Sequence, residues 1–181
     1  MEIVRFADLV ATPWKNGGGV TREVARKEED GNIVWRLSIA DVASEGPFSA
    51  FPGMERNLTV IEGEDMQLFR PDGSFLAADR LLPVTFSGDE PINGVLPHGP
   101  CRDFNVIWNP SLVEAAVTLI EPENEVPIEG SVHSGILCVT STATLSSGEK
   151  LAFGDFAWVK EPVTLKNGKA VAVIIRAPSH P

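Results

Sequence analysis

Residues 35–40 read Trp35-Arg36-Leu37-Ser38-Ile39-Ala40, a strict two-residue alternation. Trp35, Leu37 and Ile39 fall on one face, and Arg36, Ser38 and Ala40 on the other. That period belongs to a β-strand, because successive side chains of an extended backbone point to opposite sides. The pattern fixes the strand and leaves open which face turns inward. In a barrel one face meets a neighbouring sheet while the other lines a cavity.

The same signal recurs on both sides of this segment. Glycine and proline together number 30 of 181 residues and are scattered throughout, with short β-branched and aromatic stretches between them. That is the pattern of many short strands joined by turns. Strands are expected over 21–25, 34–42, 56–62, 66–70, 82–87, 101–108, 114–120, 136–140, 157–159 and 169–176. Residues 7–11 leave room for one helical turn.

A faint internal repeat suggests two units. The first copy runs LTVIEGEDMQL from Leu58, FSGD from Phe86 and FNVIW from Phe104. The second runs ILCVTSTATL from Ile136, FGD from Phe153 and VAVIIR from Val171. A Gly-Asp turn suits a barrel corner, since glycine adopts unusual dihedrals and aspartate bonds nearby backbone. The expectation is an all-β chain of two stacked barrels. Residues 1–110 form the N-terminal barrel with the pocket, and residues 111–181 a smaller one packed intimately against it. No linker separates the copies: EPENEVPIEG, from Glu121, reads as a long surface connection rather than a hinge between independent domains.

Composition narrows the function. Twenty-five acidic against fifteen basic residues give a net charge of −10, which repels nucleic acid and anionic membranes. No apolar run approaches the roughly 20 residues of a membrane span, and the N-terminus lacks a signal-peptide pattern, so a cytoplasmic protein is expected. Cys101 and Cys138 lack metal-type spacing and read as reduced thiols. The three histidines, His98, His133 and His180, lie far apart with no HxH pair, so no metal and no cofactor are expected.

Charge is uneven along the chain: residues 1–60 carry a net −2 and residues 61–181 a net −8. Lys15, Arg22, Arg36 and Arg56 sit beside small-residue segments in the balanced part, where their convergence would make an anion site. The alternative is pairing with Glu23, Asp41 and Glu55 on a solvated rim. PWKNGGGVTRE, from Pro13, is the densest motif. Its three glycines leave amides open to a ligand oxygen, or form a flexible turn. It matches neither a P-loop nor a dinucleotide fingerprint. In GPFSAFPGMER, from Gly46, Phe48 and Phe51 can wall a pocket. In CRDFNVIW, from Cys101, Asp103 and Asn105 offer an acceptor and an amide, or serve buried structural hydrogen bonds.

PWKNGGGVTRE, WRLSIADV, GPFSAFPGMER, FSGD and CRDFNV, in that order, resemble the HutD/Ves family over most of residues 5–110. The second half is similar mainly in strand pattern. The resemblance implies a metal-free bicupin with two cupin-like, RmlC-like jelly-roll barrels. For the HutD branch it implies an accessory or regulatory role in histidine utilisation, with a small carboxylate ligand of the formylglutamate or urocanate kind. The Ves branch is linked only loosely to stress responses. The implied ligand-binding residues are Lys15, Asn16, Gly18, Thr21, Arg22, Arg36, Ser38, Arg56, Asp103 and Asn105, with Phe51 as an apolar wall. Arg56 is the expected bidentate carboxylate clamp, because its guanidinium fork matches two oxygens. Glu23 is expected to orient a basic neighbour, and Trp14 and Trp35 to pack.

Three classes of function follow. A non-catalytic ligand-binding regulator leads, since the sequence offers no Ser-His-Asp arrangement and no cysteine beside a histidine. A metal-free cupin enzyme, an isomerase or hydrolase of small acids, is the alternative. It would use Lys15, Glu23 or Asp103 as acid or base. The third is a protein-interaction module. A homodimer is compatible with all three.

Overall fold

The computed structural model describes residues 1–179. Its strands are β1 (Glu2–Val4), β2 (Ala11–Pro13), β3 (Gly19–Glu29), β4 (Asn32–Val42), β5 (Gly46–Pro47), β6 (Glu55–Glu62), β7 (Asp65–Phe69), β8 (Phe75–Asp79) and β9 (Val84–Ser87). They continue with β10 (Asn93–Val95), β11 (Cys101–Trp108), β12 (Glu114–Ile120), β13 (His133–Cys138), β14 (Thr142–Leu145), β15 (Lys150–Ala152), β16 (Phe156–Trp158), β17 (Leu165–Asn167) and β18 (Ala170–Arg176). A single 3-10 turn at Phe6–Asp8 is the only helical element among the described residues, so the chain is all-β. None of its helices is long and apolar enough to cross a membrane.

The chain divides into two compact units. Val10–Ser111 holds a six-stranded sheet, in the order β2-β3-β4-β11-β6-β9, and a four-stranded sheet, β5-β10-β7-β8. Every pairing in them is antiparallel. The longest hairpin, β3–β4, turns at Asp30 and Gly31, both at positive φ (50° and 77°). Asp-Gly is the dipeptide that a two-residue hairpin turn of the right twist selects. The core lies between the two sheets. Ala40, Leu58, Val60 and Phe86 reach it from one sheet, and Met66 and Leu68 from the other. Two sheets closed on one core is the jelly-roll arrangement of cupin-like proteins.

The second unit comprises Met1–Leu9 and the chain from Leu112 onward. It has a five-stranded sheet, β1-β16-β13-β18-β12, and a three-stranded one, β15-β14-β17. Ile136, Ala157 and Ala172 meet Leu145, Leu151 and Leu165 between them. Residues 1–9, expected with the first barrel, belong here because β1 pairs with β16. Buried Asp155 fixes that segment: it accepts the Phe6 amide at 2.9 Å and Arg5 Nη1 at 2.7 Å.

The internal repeat is visible as topology. The order β4-β11-β6-β9 in the first unit corresponds to β12-β18-β13-β16 in the second, and β10-β7-β8 to β17-β14-β15. The two Gly-Asp turns are not equivalent, however. Gly88-Asp89 follows β9, whereas Gly154-Asp155 lies between β15 and β16. The repeat is one of strand order, and the shared dipeptide is not a marker of its register.

Candidate functional site

The site grows from the pairing register of the six-stranded sheet. Thr21 on β3 faces Ala40 on β4, which faces Asp103 on β11. One rung along, Ser38 faces Asn105. On the next, Arg36 faces Ile107, which faces Arg56 on β6. Because side chains alternate along each strand, these residues share one face of the sheet. They form the floor of a cavity of about 540 Å³ within the Val10–Ser111 unit. Leu58 and Val60 continue the same face of β6 into the apolar core, which closes the floor on that side. Phe48, Ser49 and Phe51, from the loop after β5, form one wall, and the β2–β3 loop with Trp14, Lys15 and Asn16 forms another.

The alternation over 35–40 therefore resolves: Arg36, Ser38 and Ala40 face the cavity, and Leu37 and Ile39 are buried on the opposite face. Of the expected site residues, Lys15, Asn16, Thr21, Arg36, Ser38, Phe51, Arg56, Asp103 and Asn105 line the cavity. Gly18 and Arg22 do not. Arg22 adjoins Thr21 on a strand, so it points the other way and pairs with Asp41 at 2.7 Å. Asp41 also binds Arg102.

Gly18 is a buried turn residue. Its amide donates to Asn16 Oδ1 at 2.9 Å, and its carbonyl accepts the amides of Ala43 and Ser44. The Gly17 amide likewise donates to the Trp14 carbonyl. The triple glycine thus serves local packing more than anion capture. Gly17 has φ 72°, and a Cβ on Gly19 would stand 2.3 Å from the Asp41 carbonyl oxygen. Glycine alone fits there. Trp14 is more than a packing residue: its ring is cavity wall, and its Nε1 donates to Thr21 Oγ1 at 2.7 Å. Ser49 contributes a backbone carbonyl, which no side-chain pattern in the sequence reports.

Arg56 dominates the electrostatics. It is only 6% exposed, yet no carboxylate touches it among the described residues. Its Nη1 donates to the Ser49 carbonyl at 3.1 Å and its Nη2 to Asn105 Oδ1 at 3.0 Å. Its Nε–H is buried with no partner among the described residues. Phe48, Phe51 and Phe86 surround the guanidinium carbon, with ring centroids at 5.3, 5.2 and 5.2 Å. Such cation–π contacts stabilise the charge only in part. Burial pulls the Arg56 pKa down to about 10, against the pull of Asp103, and Arg36 adds a little more. The group therefore stays charged at neutral pH.

Asp103 is the opposite case. It is 1% exposed, and burial pushes its carboxyl up to about 7, with Arg56 opposing and Asp41 assisting. Its Oδ1 accepts the Asn105 amide, while its Oδ2 is buried without a partner among the described residues. At the rim, Arg36 Nε is held by Glu23 at 2.8 Å, as expected of that glutamate. Lys15 is exposed and forms no ion pair among the described residues.

Guanidinium, ammonium, amide and hydroxyl donors suit an anion, not a cation. Cupin-like folds can carry a metal, but this donor set does not fit one. No cluster of three or more His, Cys, Asp or Glu capable of holding a metal ion exists among the described residues. His180 lies outside them.

Comparison with known proteins gives a consistent picture. The profile of the HutD family matches residues 6–174. A 21.2 kDa protein encoded in the hutC 3′ region of Pseudomonas putida is 38% identical over 120 residues, 64% of this chain. Protein Ves of Escherichia fergusonii is 32% identical over 123 residues, 67% of this chain. The aligned segments span only 62% and 64% of these two relatives. HutD of Pseudomonas fluorescens, solved in a formate condition, superposes with a TM-score of 0.89 at 30% identity, covering 98% of this chain and 99% of that one. Oxalate decarboxylase of Bacillus subtilis, at 10% identity and a TM-score of 0.61, shares the cupin fold over 98% of this chain and 77% of its own.

Proposed function

The chain belongs to the HutD family, and from that premise we propose that its cavity binds a small carboxylate, as an accessory or regulatory protein of histidine utilisation. One observation carries this reading. Arg56 is a buried, charged guanidinium with, among the described residues, an unpartnered Nε–H and no direct counter-ion. An uncompensated buried charge is costly, and an incoming anion relieves that cost. Lys15 and Arg36 add positive charge at the rim of an otherwise acidic protein, which focuses small anions into the cavity. Ser38, Thr21 and Asn16 supply polar contacts for the rest of the ligand, and Phe51 an apolar wall.

A thermal-shift screen of formylglutamate, urocanate and simple dicarboxylates tests the reading. At least one acid should raise the melting temperature in a concentration-dependent manner, and Arg56→Met should abolish the shift. No shift with any acid would favour an interaction module instead.

Asp103 keeps an enzymatic reading alive, because a cavity carboxyl titrating near neutrality suits a general acid or base. Incubation with the same acids discriminates. Binding without conversion supports the receptor. Conversion lost in Lys15→Met or Asp103→Asn supports a metal-free isomerase or hydrolase.

A further inference from the structure

Arg56, Asn105 and Asp103 form a relay whose polarity is forced. Arginine can only donate, so Asn105 must present its carbonyl oxygen to Arg56 Nη2. The Asn105 amide nitrogen therefore faces Asp103 and donates to Oδ1. That leaves Oδ2, buried and without a partner among the described residues, as the one carboxyl oxygen open to a proton. An ionised Asp103 pairs with Arg56 only at one remove, through a neutral amide.

We propose that the site is proton-coupled: an anion enters the cavity together with one proton, which passes from solvent to Oδ2 of Asp103. This rests on the carboxylate-binding reading and adds to it the identity of the co-bound species. The physical reason is charge neutrality. An anion beside Arg56 competes with ionised Asp103 for the same buried positive charge, and two carboxylates cannot share it in a desolvated wall. Protonation removes the competitor and turns Oδ2 from an acceptor into a donor.

The charged groups around Asp103 support this. On β4, Ala40 is its partner and Asp41 the next residue, the latter favouring protonation. On β6, Val60 is its partner, and Arg56, at the far end of the relay, opposes protonation. Within the cavity, Lys15 and Arg36 are cationic, and Arg36 is already held by Glu23. On β11 itself, burial keeps Cys101 a neutral thiol, up at about 12. Free Asp103 titrates at about 7, so the site is poised to take up a proton at neutral pH.

The test uses sodium formate and the full chain, held at pH 8 without buffer. Formate does not titrate there, so the acid needed to hold the pH during a titration counts protons taken up per site. Uptake should approach one proton per site. From pH 7 to 8 the formate Kd should rise about fivefold, and from pH 8 to 9 about ninefold, approaching tenfold per pH unit well above the Asp103 pKa of about 7. Asp103→Asn retains the acceptor for Asn105 and places a permanent donor at the Oδ2 position. It should bind formate with a Kd independent of pH and with no uptake. Saturable binding by wild type without uptake, or unchanged pH dependence in a folded Asp103→Asn, overturns the coupling alone. Failure of wild type to bind formate at pH 6 overturns the coupling and the carboxylate reading together.

Discussion

Arg56 Nη2 donates to Asn105 Oδ1 at 3.0 Å, and this bond joins β6 to β11 beneath the cavity. It sets the orientation of an amide that would otherwise be free to flip, and so decides which neighbour receives a donor. The deepest polar groups of the cavity therefore act as one unit.

Removing the bridge tests that unit. Asn105→Ala strands a guanidinium donor on one side and a carboxylate acceptor on the other, both buried. Leaving buried polar groups unsatisfied costs about 1–3 kcal/mol each. Urea denaturation should show a loss of about 2–6 kcal/mol, far above a surface Asn→Ala change.

Arg56→Met separates binding from folding. The substitution exchanges a buried charge for a shorter, flexible apolar chain amid Phe48, Phe51 and Phe86. Stability should fall by only about 1–3 kcal/mol, because Asn105 Oδ1 and the Ser49 carbonyl lose their donor while a costly buried charge is removed. Carboxylate affinity should fall at least tenfold, about 1.4 kcal/mol or more, in calorimetric titration. An unfolded variant, or unchanged affinity, contradicts the assignment.

Asp103 also leaves a mark on stability. Its folded pKa, raised to about 7, exceeds that of an unfolded aspartate, so the folded chain binds more protons between these values. Stability from this group is therefore present at low pH and is lost as pH rises toward 7. In Asp103→Asn that decline between pH 4 and 7 should disappear from denaturation free energies. A decline that persists in the variant assigns it to another group.

Asp155 behaves with the opposite sign. Burial works against its ionisation, but hydrogen bonds from the Phe6 amide, Arg5 and the Ala152 amide outweigh burial and hold its pKa below the usual carboxylate range. Its contribution is present above the unfolded aspartate value and is lost as pH falls through the lowered folded one. Asp155→Ala should increase amide exchange in residues 2–8 at neutral pH, while exchange in the β3–β4 hairpin stays unchanged.

The sequence made the strands legible because alternation and turn residues are local signals. Residues 35–40 announce β4, but the choice of face depends on β3 and β11 flanking it, which no local pattern records. Arg22 shows a reading that alternation itself could have corrected: beside inward Thr21 on one strand, it had to point away. Gly18 is not legible as a turn residue, because a glycine run looks the same whether it exposes amides to a ligand or, as at Gly19, yields space to Asp41 and Trp14. The membership of residues 1–9 in the second unit is invisible to local pattern, because β1 pairs with a strand some 150 positions away, as Ile3 opposite Ala157 shows. The relay among Arg56, Asn105 and Asp103 was out of reach for the same reason. Its three members stand out in the sequence, but their connection is a property of register.

The central claim is that Arg56 receives an anion. The most direct measurement follows its Nε–H resonance in a nitrogen-15 labelled sample, identified by its loss in Arg56→Met, as formylglutamate, urocanate and formate are added in turn. The account predicts a saturable displacement of that resonance by at least one of them, with chloride at equal ionic strength leaving it in place. A resonance unmoved by every acid, in a protein that remains folded, would contradict the receptor.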